Sequence, residues 1–151
     1  MAQSLSKIYV HIIFHIKNSS VEIDKKDSSE LYSYIGTIIR DNESIPVVVN
    51  GVGNHIHILC VMSKNIALSK LVEEIKRKSS RWIKTKGLLY ENFAWQGGYA
   101  VFSVSSSIHD KTKRYIERQE QHHNKMNFNE EYLLFLKEYK IEYDERYLWN
   151  D

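Results

Sequence analysis

The sequence predicts an α+β fold: an antiparallel β-sheet of the ferredoxin-like or RRM-like kind, with helices packed on one face and further helices at the C-terminus. The first observation behind this is periodicity, because apolar β-branched runs alternate with amphipathic helical segments in the order β-α-β-β-α-β. The second is size. A chain of 151 residues, 42% of them hydrophobic, suits one domain with one core, which we assign to residues 1–151.

Each element follows from its own local pattern. Residues 7–16 are rich in β-branched and aromatic side chains, and residues 65–84 form the clearest amphipathic pattern. The predicted elements are strands at 7–16, 47–52, 55–62 and 99–105, a helix from the N-cap candidates Asp27, Ser28 and Ser29 to about 40–42, and helices at 65–84, 108–121 and 129–139. An aromatic tail at 143–149 follows. In this arrangement the second face of the sheet is expected to be free to meet a ligand.

Composition limits the kind of protein. The formal net charge is only +2, so any nucleic-acid surface must come from local clustering of basic residues. Cys60 is the single cysteine and lies in an apolar run, which predicts a buried thiol and a reducing compartment. No apolar stretch approaches the ~20 residues that span a bilayer, and no signal peptide is evident. We expect a cytoplasmic protein with no membrane partner.

Two histidines flank one isoleucine in the third predicted strand. Because strand side chains alternate, His55 and His57 should project to one side of the sheet, with Ile56 and Ile58 on the core side. Two imidazoles at this spacing can reach one metal ion. The same pair also fits ordinary surface or hydrogen-bonded histidines.

A tyrosine and a glutamine lie four residues apart in the polar helix predicted at 108–121. Positions i and i+4 share a helix face, so Tyr115 and Gln119 should lie side by side. The polar surroundings favour an exposed tyrosine that can be presented to a partner. A core-packing tyrosine beside a solvated glutamine is the plainer interpretation of these two residues alone.

Taken together, these motifs resemble the single-tyrosine HUH transposases of small bacterial insertion sequences, including the repeat-associated transposases. The histidine pair and the Tyr-x-x-x-Gln helix carry most of the resemblance. Further similar segments are residues 95–99, 102–105, 115–123 and 141–149, all in family order. The resemblance covers nearly the whole chain, with no catalytic position missing.

The resemblance implies a function and a set of roles. His55, His57 and Gln119 would hold Mg²⁺ or Mn²⁺, and Tyr115 would be the nucleophile that cleaves and rejoins single-stranded DNA through a 5′-phosphotyrosine. The DNA would carry a hairpin near the element ends. Because one tyrosine breaks one strand at a time, we expect a homodimer. Histidine is softer than Mg²⁺ prefers, so Mn²⁺ is expected to work better in vitro.

Basic residues cluster on the helix at 65–84 and are the candidate DNA contacts, since phosphate contacts dominate such affinity. They are Lys76, Arg77, Lys78, Arg81 and Lys84, with Lys86 just beyond. A solvated helix face is the simpler interpretation of such a run. Trp95 and Tyr99 could stack on bases, although core packing fits each of them equally well.

Two alternatives stay open at this point. A domesticated relative could keep the nuclease chemistry and act on chromosomal repeats. A non-catalytic RRM-like module could bind single-stranded nucleic acid without breaking it, but the central strand offers His-Ile-His in place of the expected stacking aromatics.

Overall fold

The computed structural model describes residues 2–149 and contains one four-stranded antiparallel sheet with helices on both faces. The α+β fold predicted from the sequence is confirmed. The strands are β1 (Ile8–His15), β2 (Ile45–Val52), β3 (His55–Met62) and β4 (Ala100–Val104). The α-helices are α1 (Lys25–Asp41), α2 (Leu68–Ile83), α3 (His109–Glu117), α4 (Gln119–His122), α5 (Phe128–Glu138) and α6 (Glu145–Leu148).

The strand order is β2-β3-β1-β4, so β3 and β1 occupy the middle of the sheet. Their antiparallel register pairs Ile13 with His57 and His15 with His55. Central strands are shielded by neighbours on both edges. The predicted histidine pair therefore lies at the centre of the domain, where solvent is excluded.

The first face of the sheet carries the main core, as predicted. Ile56 and Ile58 of β3 are completely buried there, together with Ile35 of α1 and Ile75 of α2. Alternation along β3 then directs His55 and His57 to the second face.

That second face is covered, and the prediction that it would be free was wrong. Ile13 and Phe102 pack against Phe128 and Leu136 of α5, and Leu59 packs against Ile116 of α3. The physical reason lies in β1 and β3, which carry apolar side chains on both sides, with Ile13 and Leu59 on the second face. Such strands must be buried on both faces, and the C-terminal helices provide the second layer.

Among the predicted boundaries that move, two have a clear physical cause. Helix α1 begins after Asp24, whose carboxylate accepts a hydrogen bond from the Lys26 backbone N–H, so Asp24 is the N-cap in place of the residues at 27–29. Strand β2 begins at Ile45 and contains Pro46, with a register shift between Pro46 and Val48. An edge strand tolerates proline at such an irregularity.

The helix predicted at 108–121 is broken at Arg118, whose backbone (φ −102°, ψ 23°) leaves the helical region. Asn50 of β2 donates hydrogen bonds to the carbonyl oxygens of Ile116 (2.9 Å) and Glu117 (3.3 Å), which end α3. Tyr115 and Gln119 consequently belong to two successive helices.

Cys60 is fully buried in the main core, as its apolar surroundings predicted. Burial raises the pKa of its thiol to about 12. Within residues 2–149, none of the helices combines the length and the apolar character needed to cross a membrane.

Candidate metal centre and nucleophile

Strand β3 presents His55 and His57 side by side on the second face of the sheet. Both side chains are fully buried, and their ring centroids lie 5.1 Å apart. The Nδ1 atom of His55 lies 2.8 Å from the side-chain oxygen of Asn54. Because that oxygen only accepts, His55 donates this hydrogen bond from Nδ1, and its Nε2 atom faces the site.

A carboxylate that the sequence analysis missed, Glu131 of α5, meets both histidines. Its Oε1 atom lies 3.0 Å from His57 Nε2 and 3.4 Å from His55 Nε2, and the side chain is buried. A signal for Glu131 was present, because it falls on the apolar stripe formed by Phe128, Tyr132 and Phe135 at helical spacing. A carboxylate on a buried stripe needs a buried partner.

Gln119, at the start of α4, joins the same cluster. Its Oε1 atom lies 3.1 Å from His55 Nε2, and its amide group donates to Glu131 Oε2 at 3.1 Å. The glutamine is fully buried. The site therefore offers two oxygen donors, one from Gln119 and one from Glu131, next to two imidazole nitrogens.

Tyr115 reaches the cluster from α3. Its hydroxyl donates a hydrogen bond to the Glu131 carboxylate, and its ring lies 6.0 Å from that of His57 between centroids. Burial, and next the bond to Glu131, raise the pKa of Tyr115 well above its usual value. Tyr115 also lines two cavities of about 300 and 310 Å³, so a ligand can approach it.

The protonation state of the cluster suits a cation. Burial lowers the pKa of His57 to about 4, so this imidazole is neutral at physiological pH. Burial opposes ionisation of Glu131, but hydrogen bonds from His55 and His57 outweigh it and hold the pKa of Glu131 well below its usual value. The result is one negative charge beside the neutral imidazole of His57 in a buried site.

These donors fit a divalent metal. One ligand atom from each of His55, His57 and Glu131 lies within 4.8 Å of the others, and all three residues are buried. Two imidazoles with carboxylate or amide oxygens suit Mn²⁺ and related ions better than Ca²⁺, which prefers all-oxygen sites. The histidine prediction gains this geometric support, and Glu131 is added to the donor set.

Four further histidines, His11, His15, His122 and His123, differ in their contacts. His123 approaches Glu131 Oε1 at 3.2 Å, and His11 Nε2 lies 2.7 Å from His57 Nδ1. His15 faces the aromatic tail, with Nε2 3.2 Å from the Leu148 carbonyl oxygen. His122 stacks on Tyr115 and has a buried Nε2 atom without a hydrogen-bond partner in the described part of the chain.

The predicted DNA-contact residues Lys76, Arg77, Lys78, Arg81 and Lys84 lie on or directly after α2, which packs on the first face, across the sheet from the histidines. Several are engaged within the protein. Lys76 donates to the carbonyl oxygens of Gln96 and Gly98, and Arg77 and Lys78 pair with Glu74. In residues 2–149, Arg81 and Lys84 form no ion pair.

The two candidate stacking aromatics differ. Trp95 is buried against Phe14 and Phe93 and donates to Ser79 Oγ, which agrees with core packing. Tyr99 is 39% exposed beside the Lys76 ammonium.

Comparison with solved structures identifies the class of fold. One similar structure is of a candidate transposase from Deinococcus radiodurans R1 (TM-score 0.60, 20% identity), with 79% of this chain and 98% of that chain covered. Another is the REP-associated tyrosine transposase bound to a REP hairpin (TM-score 0.59, 16% identity), with 82% and 74% covered. At these identities the likeness concerns the fold, which is that of tyrosine transposases.

The family follows from the sequence itself. Residues 4–119 match the model of the family described as "Transposase IS200 like". This chain belongs to the IS200-like transposase family, as its resemblance indicated. No curated protein matches the chain significantly.

Proposed function

We propose that this protein cleaves and rejoins single-stranded DNA at insertion-sequence ends, with Tyr115 as the nucleophile. The observation that carries the proposal is the contact of one buried carboxylate, Glu131, with the Tyr115 hydroxyl on one side and with His55 and His57 on the other. A nucleophile and a set of metal donors thus share a single neighbour. Membership of the IS200-like family supports the same reaction class.

The reaction is a transesterification. The Tyr115 oxygen forms a bond to the scissile phosphorus, the bond from phosphorus to the 3′ oxygen breaks, and that oxygen leaves with a proton as a 3′-hydroxyl. The products are a 5′-phosphotyrosine and a free 3′ end. The reverse reaction rejoins DNA without ATP, because the covalent link conserves the bond energy.

Residues of this chain prepare Tyr115 for attack. A phenol with a free pKa of about 10 is a weak nucleophile until its proton leaves. Glu131 accepts the hydroxyl hydrogen bond and is the nearest acceptor for that proton. The approach of a polyanionic strand into a dry site also requires cationic compensation.

We propose that His55 and His57 hold Mg²⁺ or Mn²⁺, with an oxygen of Gln119 or Glu131 as the third donor. When bound there, a divalent ion supplies Lewis-acid polarisation of the scissile phosphate. Both oxygens stand within hydrogen-bond range of a histidine Nε2 atom. Mn²⁺ titrations of Gln119→Ala and Glu131→Gln identify the third donor, because only the loss of a true ligand weakens binding strongly.

The DNA partner is proposed to be a single strand with a hairpin. The REP-associated relative is bound to a REP hairpin in its structure, and the fold is shared. We propose a homodimer for complete transposition, since two cleavages need two tyrosines. The domesticated alternative uses the same residues, and genomic context separates it from a mobile element, which occurs in many identical copies.

A denaturing gel tests the function. Labelled single-stranded DNA from the flanks of the gene is mixed with wild-type or Tyr115→Phe protein, with Mn²⁺ or EDTA. We expect a metal-dependent protein–DNA adduct with wild type only, and His57→Ala should lose it as well. An adduct with Tyr115→Phe would contradict the nucleophile, and binding without any adduct across several flanks would favour the non-catalytic module.

A further inference from the structure

The His11 side chain, in the middle of β1, contacts the candidate metal centre at the Nδ1 atom of His57. It is 2% exposed, and its Nε2 atom lies 2.7 Å from Nδ1 of His57. The rings of Phe102 and Phe135 pack around it in edge-to-face contact. Within the described residues, the bond to His57 is the only hydrogen bond made by the His11 ring.

A hydrogen bond between two neutral imidazoles fixes both tautomers. One nitrogen must carry a proton and the other must accept. If His57 donates from Nδ1, its Nε2 atom is a lone pair that faces Glu131 and the metal donors. If His11 donates instead, His57 carries its proton on Nε2, points an N–H at Glu131 and cannot bind a metal through that atom.

We propose that His11 is a positioning residue for His57: when a cation takes the place of the hydrogen bond between His57 Nε2 and Glu131, His11 accepts the Nδ1 proton of His57 and thereby presents the His57 Nε2 lone pair to the cation. The inference rests on the metal site of the proposed function. Metal-binding histidines donate their second ring N–H to a fixed acceptor as a rule, and that acceptor tunes metal affinity. Asn54 has this role for His55, and His11 has it for His57.

A histidine in this place differs from the usual carboxylate or carbonyl acceptor. A carboxylate would add a second negative charge to a dry site that already contains Glu131. An imidazole adds no charge and can accept or donate, so it keeps a hydrogen bond to His57 in either tautomer. The bond thus keeps Nδ1 of His57 satisfied in either tautomer, where an unpaired buried polar group costs about 1–3 kcal/mol.

The test measures Mn²⁺ affinity by electron paramagnetic resonance of the free ion, without DNA or turnover. His11→Phe keeps the ring size and removes the acceptor, and we expect its affinity to fall about 10–100-fold. His11→Gln restores an acceptor near the Nε2 position and should recover most of the affinity. His15→Phe is the control, because His15 is on the same strand face but bonds backbone oxygens only.

Histidine ¹⁵N NMR spectra provide a readout that does not need the metal site to work. We expect His11→Phe to change the tautomer balance of His57, and His11→Gln to restore the wild-type balance. Unchanged tautomers and unchanged Mn²⁺ affinity in His11→Phe would overturn the inference. If the wild type binds no Mn²⁺, the metal proposal fails on its own, and the ¹⁵N spectra still decide the role of His11.

Discussion

At the scale of single residues, Glu131 organises the site. Its two oxygens contact Tyr115, His57, Gln119 and His123. One side chain therefore links α3, β3, α4 and the turn after α4. A buried carboxylate with this many partners is stabilising only while all of them are present. Changes at Glu131 should therefore affect both the nucleophile and the fold.

We predict that Glu131→Gln lowers the pKa of Tyr115. Burial of the phenol stays, but the charge that also disfavours the phenolate is removed. The pKa should remain above the usual tyrosine value, because burial is the larger cause. Titration of ¹³C-labelled tyrosine by NMR, with Tyr115→Phe for assignment, measures the shift.

The same substitution should reduce the free energy of unfolding by about 1–3 kcal/mol, because buried partners of the carboxylate lose charge-assisted hydrogen bonds. Urea unfolding measures this change. A Tyr115 pKa that stays where it is in the wild type would show that Glu131 does not control the phenol.

Prediction at the residue level succeeded where the two-residue period of a strand decides to which face a side chain points. Alternation along β3 was enough to place His55 and His57 on one face and Ile56 and Ile58 on the other. Glu131 was missed because its partners are distant in sequence, and the surrounding helix alone does not reveal what its buried stripe meets. The contact of His11 with His57 was missed for the same reason.

At the scale of elements, the order and type of the strands and long helices followed from the sequence, whereas several of their first and last residues did not. The break between α3 and α4 depends on Asn50 of β2, a contact across 66 residues that no local pattern contains. The cover on the second face of the sheet likewise depends on tertiary packing of α3 and α5.

The cap of α1 gives a prediction on stability. Asp24→Ala removes the acceptor for the Lys26 N–H and should lower the free energy of unfolding by about 1 kcal/mol. Asp24→Asn keeps an oxygen at the cap and should lower the free energy of unfolding much less. Urea midpoints of the three proteins check the order, and equal midpoints for Ala and Asn would contradict the capping role.

Helix α2 gives a prediction on DNA affinity. Arg81 has no ion pair in the described chain, whereas Arg77 is paired with Glu74 at 2.9 Å. If α2 contacts phosphates, Arg81→Gln should weaken binding and reduce the salt slope by about 1, with a smaller effect for Arg77→Gln. Fluorescence anisotropy over a range of salt measures both. Wild-type affinity in both variants would move the DNA interface away from α2.

At the scale of the whole molecule, buried acidic groups predict loss of stability in alkali. The pKa values of Cys60, Tyr90 and Tyr132 are raised to about 12, by burial first and, for Tyr90, also by its bond to Asp27. Above the ordinary values of about 8.5 for Cys and 10 for Tyr, the unfolded chain loses these protons while the folded chain keeps them. The unfolded state then binds fewer protons, so stability falls as pH rises.

We predict a decline in the free energy of unfolding from about pH 9 towards pH 12. Urea unfolding along this range measures the slope. Tyr132→Phe removes one buried phenol and should make the slope shallower. A slope identical to that of the wild type would show that Tyr132 ionises equally in both states.

The cover that α5 places over the sheet has a consequence for how the protein is made. Ile13 packs against Phe128 and Leu136, which are synthesised much later than Ile13. The histidines likewise leave the ribosome long before Glu131, which lies outside the family-defining segment 4–119. A nascent chain must therefore keep an apolar sheet surface exposed until α5 has been synthesised, and premature termination after Gln119 would produce an aggregation-prone fragment with an incomplete site.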